Sequence, residues 1–378
     1  MIDFLGEALW VLGPFLVVLT VLVFVHELGH YLVARWNRVD VEVFSIGFGP
    51  EIVGWNDRRG TRWKISWIPL GGYVKFFGDA NAASGGAANL DHLPPERRMR
   101  SFHFQPLSRR AAVVAAGPIA NFLLAILLFA VIFATAGQPF TAPVVGSVDP
   151  TSAAAAADIR VGDRIVKADG QGIERFEALQ RYVQLRPNEP IALTLRRGEQ
   201  TLIVDVTPRL REIRDGLGNI QRVGQLGIRS TTVEHIRHDP LSALWQGTVA
   251  TADIVGVTFV AIRQMIVGSR GTEELAGVIG IAHMSKQVAQ VGLLALVQFA
   301  AFLSVSLGLI NLFPIPVLDG GHLVLFAAEA IRGKPLSERV IEYSFRFGLA
   351  LVLMLVVLTT FNDLSRLQVF GLVGSLFG

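Results

Sequence analysis

The chain has 378 residues, enough for two or three domains of ordinary size. Hydrophobic residues make up 51% and charged residues 17%, with a mean hydropathy of +0.48; intrinsic disorder and a wholly soluble single globule are both excluded. The net charge of +3, without a Lys/Arg stripe, argues against a nucleic-acid partner, and the lack of cysteine leaves any metal to His, Asp or Glu.

Residues 1–36 are predicted to form a first transmembrane helix. The run from about residue 8 to 33 is apolar, no Lys or Arg precedes Arg35, and a bilayer crossing needs about 20 such residues. It lacks the basic start and the small-residue cleavage site of a signal peptide. Residues 37–110 are dense in Arg and Lys and are expected on the cytoplasmic side. Within them Val41, Val43, Phe44, Trp63, Ile65 and Trp67 alternate with polar residues, and turn signals stand at 57–60 and 71–72; this reads as β-hairpins. Residues 80–100 read as a loop.

Residues 111–137 form a second span, and residues 138–232 a soluble α/β domain with strands near 191–195 and 201–206 and an amphipathic helix near 176–184. In residues 233–290 an apolar run is interrupted by Gln246, Asp253, Arg263 and Gln264, so an amphipathic helical segment on the membrane surface is expected. Residues 291–322 form the third transmembrane helix. Residues 323–340 form a cytoplasmic loop with Arg332, Lys334 and Arg339, and residues 341–378 the fourth transmembrane helix and a tail. The fold class is a polytopic α-helical membrane protein of four transmembrane helices with one inserted α/β domain. Both chain ends and the inserted domain lie opposite the cytoplasm, and no internal repeat is present.

The first span contains His26-Glu27-Leu28-Gly29-His30. Ionisable groups are costly in hydrocarbon, so a cluster of three marks a functional site. Residues i and i+4 share a helix face, so both imidazoles can converge on one zinc ion, with Glu27 beside them to work on a water. A catalytic zinc needs a third protein ligand. The candidate is Asp319 in Asn311-Leu312-Phe313-Pro314-Ile315-Pro316-Val317-Leu318-Asp319-Gly320-Gly321, where prolines and glycines break the third span.

HELGH in one span and NLFPIPVLDGG in another resemble the site-2 protease family of intramembrane zinc metalloproteases. Ala116-Gly117-Pro118-Ile119-Ala120-Asn121 resembles the family's GPxxN element, and Gly71-Gly72-Tyr73-Val74-Lys75 its membrane-associated β-hairpin. Phe361-Asn362-Asp363-Leu364-Ser365-Arg366 is similar to the C-terminal end of the regulator-of-sigma-E branch. The resemblance implies Zn2+ on His26, His30 and Asp319, Glu27 as catalytic acid/base, and Asn311, Gly72 and Tyr73 in contact with substrate. Gly117 and Asn121 are read as small and polar packing residues between helices. Ser306 stands where the branch often has a second Asn, and His322 is expected to be structural or to support the ligands rather than bind metal.

Residues 144–154 and 159–166 resemble a PDZ domain, with Gly224, Gln225, Leu226, Gly227 and Ile228 as its peptide-binding loop for C-termini. The domain either binds such peptides or only blocks large substrates from the membrane site. The implied setting is the bacterial inner membrane, the PDZ domain periplasmic and the active site towards the cytoplasmic leaflet. The implied substrates are single-pass membrane proteins, such as anti-sigma factors or signal-peptide remnants, trimmed beforehand by another enzyme. Two rival readings are an ion or proton transporter that uses the His/Glu cluster as a relay, and a membrane-anchored PDZ scaffold with a dead site.

Overall fold

A computed structural model describes residues 2–79, 94–214, 220–269 and 271–366. Residues 80–93, most of the expected loop, and the tail from residue 367 lie outside the described residues. The chain divides into two compact units. The first comprises Met1–Ala130, Leu244–Ala261 and Gly271–Gly378, and the second Val131–Ala243 and Ile262–Arg270.

The first unit opens with helix α1 (Ile2–Trp36). Strands β1 (Val41–Asn56) and β2 (Arg62–Phe76) follow. The two strands fold back on each other, so that Val43–Ile46 pairs both with Arg62–Ile65 and with Gly72–Lys75. One face of this hairpin is anchored on α1. Phe44, buried at 1% exposure, stacks on Trp63, and both meet the Tyr31 ring edge-on. The turn is tied by Asp57, which accepts from the backbone N–H of Arg59 and Thr61, the Trp63 indole and the Tyr31 hydroxyl. Burial alone would raise the Asp57 carboxyl, but these donors hold it down at about 2. The rest of the hairpin exposes Ile52, Trp55, Trp67, Ile68 and Leu70, a surface suited to lipid rather than water. A short helix α2 (Pro95–Arg98) and a single 3-10 turn lead into α3 (Leu107–Thr135).

The second unit is built on β3 (Gln138–Thr141), β4 (Ser147–Val148), α4 (Ala153–Ala156), β5 (Arg164–Ala168), β6 (Gln171–Gly172), α5 (Phe176–Gln184), β7 (Ile191–Arg197) and β8 (Gln200–Val206). It continues with β9 (Arg209–Arg214), β10 (Ile220–Gln225), β11 (Ile228–Arg229) and β12 (Val233–Ile236). An antiparallel sheet in the order β6-β5-β7-β8 carries the core residues Ile165, Ile191, Leu193 and Leu195, covered by Leu179 and Val183 of α5. The pairs β3·β12 and β4·β11 join the domain's chain entry to its exit. Asp163 accepts from Arg197 and from the Arg160 backbone, which fixes the turn before β5. A cavity of about 200 Å³ opens between α5 and the Val223–Ile228 segment. A small sheet with two helices and a groove beside the longer one is the PDZ arrangement.

The chain then returns to the first unit through α6 (Pro240–Val267), α7 (Val278–Val291), α8 (Leu293–Asn311), α9 (Asp319–Arg332) and α10 (Glu338–Arg366). Among the described residues, five helices are long and apolar enough to cross a membrane: α3, α6, α8, α10 and the Trp10–Trp36 part of α1. Much of their apolar surface faces outward, as lipid contact requires, making the chain a polytopic helical membrane protein. Asp239 caps the start of α6 by accepting from the N–H groups of Leu241 and Ser242.

The third span breaks where its prolines and glycines predict, but the residues after the break form a separate helix that reaches into the loop expected over 323–340. Helix α8 stops at Asn311, and a separate helix, α9, covers Asp319–Arg332. Pro314 and Pro316 offer no N–H and push the residues before them out of the helical region, so the helix cannot run through. The break closes on Val317 at φ 93°, a left-handed conformation rare for a β-branched residue. The Phe361–Arg366 motif also acquires a structural role. Asp363, nearly fully buried, accepts from the N–H groups of Gly277 and Gly280 and so caps α7, while Asn362 donates to the Thr272 carbonyl.

Candidate active site and metal centre

The site is assembled by α1, α3 and the start of α9. Helical spacing puts His26 and His30 on the face of α1 that meets α3, and both rings are buried. Close approach depends on glycines at two points. A Cβ on Gly29 would collide with the Ala116 carbonyl, and one on Gly117 would collide with the His30 ring and press on His26 Cε1. The imidazoles occupy the space that Gly117 leaves open.

Each ring is held by its far nitrogen. His30 Nδ1 donates to the Val113 carbonyl at 2.9 Å, which fixes Nε2 as the lone-pair nitrogen. His26 Nδ1 lies 3.4 Å from the amide of Asn121, a fully buried residue whose Oδ1 is otherwise without a partner. The atom nearest the ring is the amide nitrogen Nδ2; exchanging the two ends of the amide would let Oδ1 accept from Nδ1–H and leave His26 Nε2 as a lone pair as well.

Both lone pairs then face the same point. The two Nε2 atoms are 3.2 Å apart, and Asp319 Oδ2 lies 3.2 Å from His26 Nε2 and 3.5 Å from His30 Nε2. All three atoms fall within 4.8 Å of one another. Asp319 Oδ2 is buried and has no hydrogen-bond partner. Three electron-pair donors converging with no proton between them repel unless they share a cation, and two imidazoles with one carboxylate are a zinc donor set. The residues therefore fit the metal.

Glu27 is half-buried beside this cluster. The strand through Gly72 passes directly alongside: a Cβ there would lie 3.2 Å from Glu27 Cγ and 2.9 Å from Val23 Cγ1. Tyr73, the next residue, stacks on Phe48 with Lys64 over its ring. Asn311 stands at the end of α8, where its amide donates back to the Leu307 carbonyl, and Ser306 likewise bonds to Phe302 within the helix. His322 meets the Phe326 and Phe345 rings and is not one of the three residues whose ligand atoms converge. Gly224, Gln225, Leu226, Gly227 and Ile228 line the groove of the second unit together with α5.

Gly117 and Asn121 do more than pack helices: one makes room for the imidazoles and the other orients His26. An asparagine inside an apolar span was the available signal. The Val113 carbonyl had none, because any backbone can supply one.

Known proteins are similar to the chain over most of its length. The model of peptidase family M50 matches residues 14–355. A protein of Agrobacterium fabrum named as a zinc metalloprotease is 47% identical over 359 residues, covering 94% of this chain and 95% of its own. Metalloprotease MmpA of Caulobacter vibrioides is 42% identical over 386 residues, covering 96% of this chain and 97% of its own. Among solved structures, the PDZ domain of an SdrC-like protein from Listeria innocua is similar at 20% identity and a TM-score of 0.20, over 26% of this chain and 99% of that one. The chain belongs to peptidase family M50 and is a zinc metalloprotease.

Proposed function

We propose that the chain hydrolyses a peptide bond in or near the transmembrane segment of single-pass membrane proteins, with anti-sigma factors or signal-peptide remnants as the substrate type. His26, His30 and Asp319 hold the zinc. The observation that carries the reading is the convergence of their three ligand atoms within 4.8 Å, with both histidines on a membrane-length helix and Asp319 at the start of the short helix after another. Zinc, when bound, polarises the scissile carbonyl and acidifies a neighbouring water. Glu27 takes the proton of the attacking water and passes it to the leaving amine. Asn121 and the Val113 carbonyl keep both imidazoles in the ligating tautomer throughout.

A transmembrane helix ties up its own carbonyls, so the substrate must be extended before it can be cut. The strand at Gly72 and Tyr73, beside Glu27, offers backbone groups for a substrate to join as an added strand, and Asn311 contacts it from α8. The Gly224–Ile228 segment and α5 receive a peptide C-terminus, such as one left by an earlier trimming protease. The setting is the bacterial inner membrane, with the metal centre towards the cytoplasmic leaflet and the PDZ domain in the periplasm.

The test compares membrane-protein fragments in cells that carry the parent or Glu27→Gln. Single-pass proteins are expected to accumulate uncut in the variant, at unchanged zinc content in the purified protein. An identical fragment pattern in both strains would end the proposal.

A further inference from the structure

Away from the metal centre, a cavity of about 590 Å³ lies where α1 ends and α3 begins, a volume suited to a small ligand. Four guanidiniums line it. Arg35 comes from the end of α1, Arg38 from the turn after it, Arg100 from the link after the hairpin, and Arg109 from the first turn of α3. The carboxylate facing them is Asp40, shared by Arg35 and Arg100 at 3.3 Å each. Arg109 donates to a neutral partner, Gln105 Oε1. The Arg38 guanidinium has no hydrogen bond or ion pair among the described residues. One carboxylate does not neutralise four guanidiniums, so the cavity keeps a strong positive charge.

Arg38 carries a second signal. Its φ of 63° is left-handed, a conformation that favours glycine, at the point where α1 closes with Val39 N–H donating to the Ala34 carbonyl. Arginine is a poor choice there for the backbone; what it supplies is a guanidinium at the cavity. The rim is apolar as well as charged, because Met99 and Phe104 line it exposed and the exposed Trp36 ends α1 nearby. Charge beside exposed aromatic and aliphatic groups, at the ends of two membrane-length helices, is the composition of a lipid headgroup zone. A general excess of basic residues on one side of a membrane accounts for their number, not for their convergence on one cavity.

We infer that this cavity binds the phosphate of an anionic phospholipid, with phosphatidylglycerol as the representative. Planar guanidiniums match phosphate oxygens in pairs, and basic pockets between membrane helices take such headgroups. Free phosphate would satisfy the charges and leave the apolar rim uncovered, whereas a lipid covers both.

Native mass spectrometry of the full chain in nonionic detergent, titrated with phosphatidylglycerol, phosphatidylcholine or inorganic phosphate, reads the binding directly and without reference to peptidase activity. Phosphatidylglycerol adducts are expected at concentrations where phosphatidylcholine gives none, undisturbed by inorganic phosphate. Arg38→Gly combined with Arg109→Gln is expected to weaken phosphatidylglycerol binding by about tenfold or more, at parental zinc content and melting temperature. Arg38→Gly alone suits the left-handed backbone, so weaker binding by that variant cannot be traced to misfolding. Equal binding of phosphatidylglycerol by parent and double variant, equal binding of the two lipids, or displacement of the lipid by inorganic phosphate would each overturn the inference.

Discussion

At Gly117 the side chain is a single hydrogen, and the two imidazoles use the space that it leaves. Gly117→Ala tests whether that space matters. Alanine is the better helix former by about 1 kcal/mol, so the helix itself should not suffer. The added methyl group, however, must push His30 and His26 out of register with Asp319. The expected outcome is zinc affinity lower by about 10–100-fold, the range for losing support of a ligand, with a melting temperature close to the parent's. Equilibrium zinc content in metal buffers reads it, and parental affinity would show that the rings do not need the gap. Spacing and helix breaking made His26, His30 and Asp319 candidates in the sequence, and the structure brings their ligand atoms together. Gly117 and Asn121 could not be assigned this way. Their roles depend on which side of α3 turns to α1, and a helix that is apolar all round carries no pattern that says so.

Elements, in turn, decide whether Asp319 is in place. It sits at the start of α9, and that helix is fastened to α3 by Arg110, whose guanidinium lies 2.9 Å from Glu329 and over the Phe326 ring. Glu329 also accepts from the Leu336 N–H, which secures the turn after the helix. Both side chains are largely buried, so removing one leaves an unpaired charge. Glu329→Ala is expected to cost on the order of 3 kcal/mol, whereas Arg110→Met with Glu329→Met should recover most of the loss. Thermal melts in detergent, with zinc content alongside, check this; a double variant no more stable than the single one would argue against a clamp. The sequence placed this pair in two separate loops. A salt bridge spanning more than two hundred residues of chain leaves no local trace, and a helix directly after two prolines is masked by them.

The hairpin is fastened to α1 in a pH-dependent way. Asp57 titrates at about 2 when folded, against about 3.9 in an unfolded chain, so its contribution is fully present above pH about 4 and is lost as pH falls through 2. Asp57→Asn should therefore lower stability by a constant amount from neutral pH down to about 4, and the gap to the parent should close below about 2. Chemical denaturation at a series of pH values measures it. A gap that persists undiminished at the acid end would assign the Asp57 contribution to shape rather than charge. The alternating residues and the turn at 57–60 made the hairpin itself readable. The hydroxyl of Tyr31 as its anchor was not, since it comes from a helix and from one residue past a candidate ligand.

For the whole molecule, the open question is how many of the five membrane-length helices cross. Charge distribution and the polar interruptions of α6 favour four crossings with α6 lying along the surface. The geometry of the metal centre adds a constraint. Asp319 follows the end of α8, while His26 and His30 lie in the second half of α1, so both helices should approach the site from the same side. That condition is met if the chain leaves and re-enters the membrane on one face between α3 and α8, and a crossing by α6 would reverse the entry of α8. Because the chain has no cysteine, single cysteines can be introduced without background. Replacements at Asp239 and Ser269, at either end of α6, should react with an impermeant maleimide from one side of the membrane. Replacements at Arg58 in the hairpin turn and Ser337 between α9 and α10 should react only from the other. If Asp239 and Ser269 label from opposite faces, α6 crosses; the common approach of α1 and α8 to the zinc would then need a further crossing in the short α7, which at 14 residues is below the length that a bilayer demands.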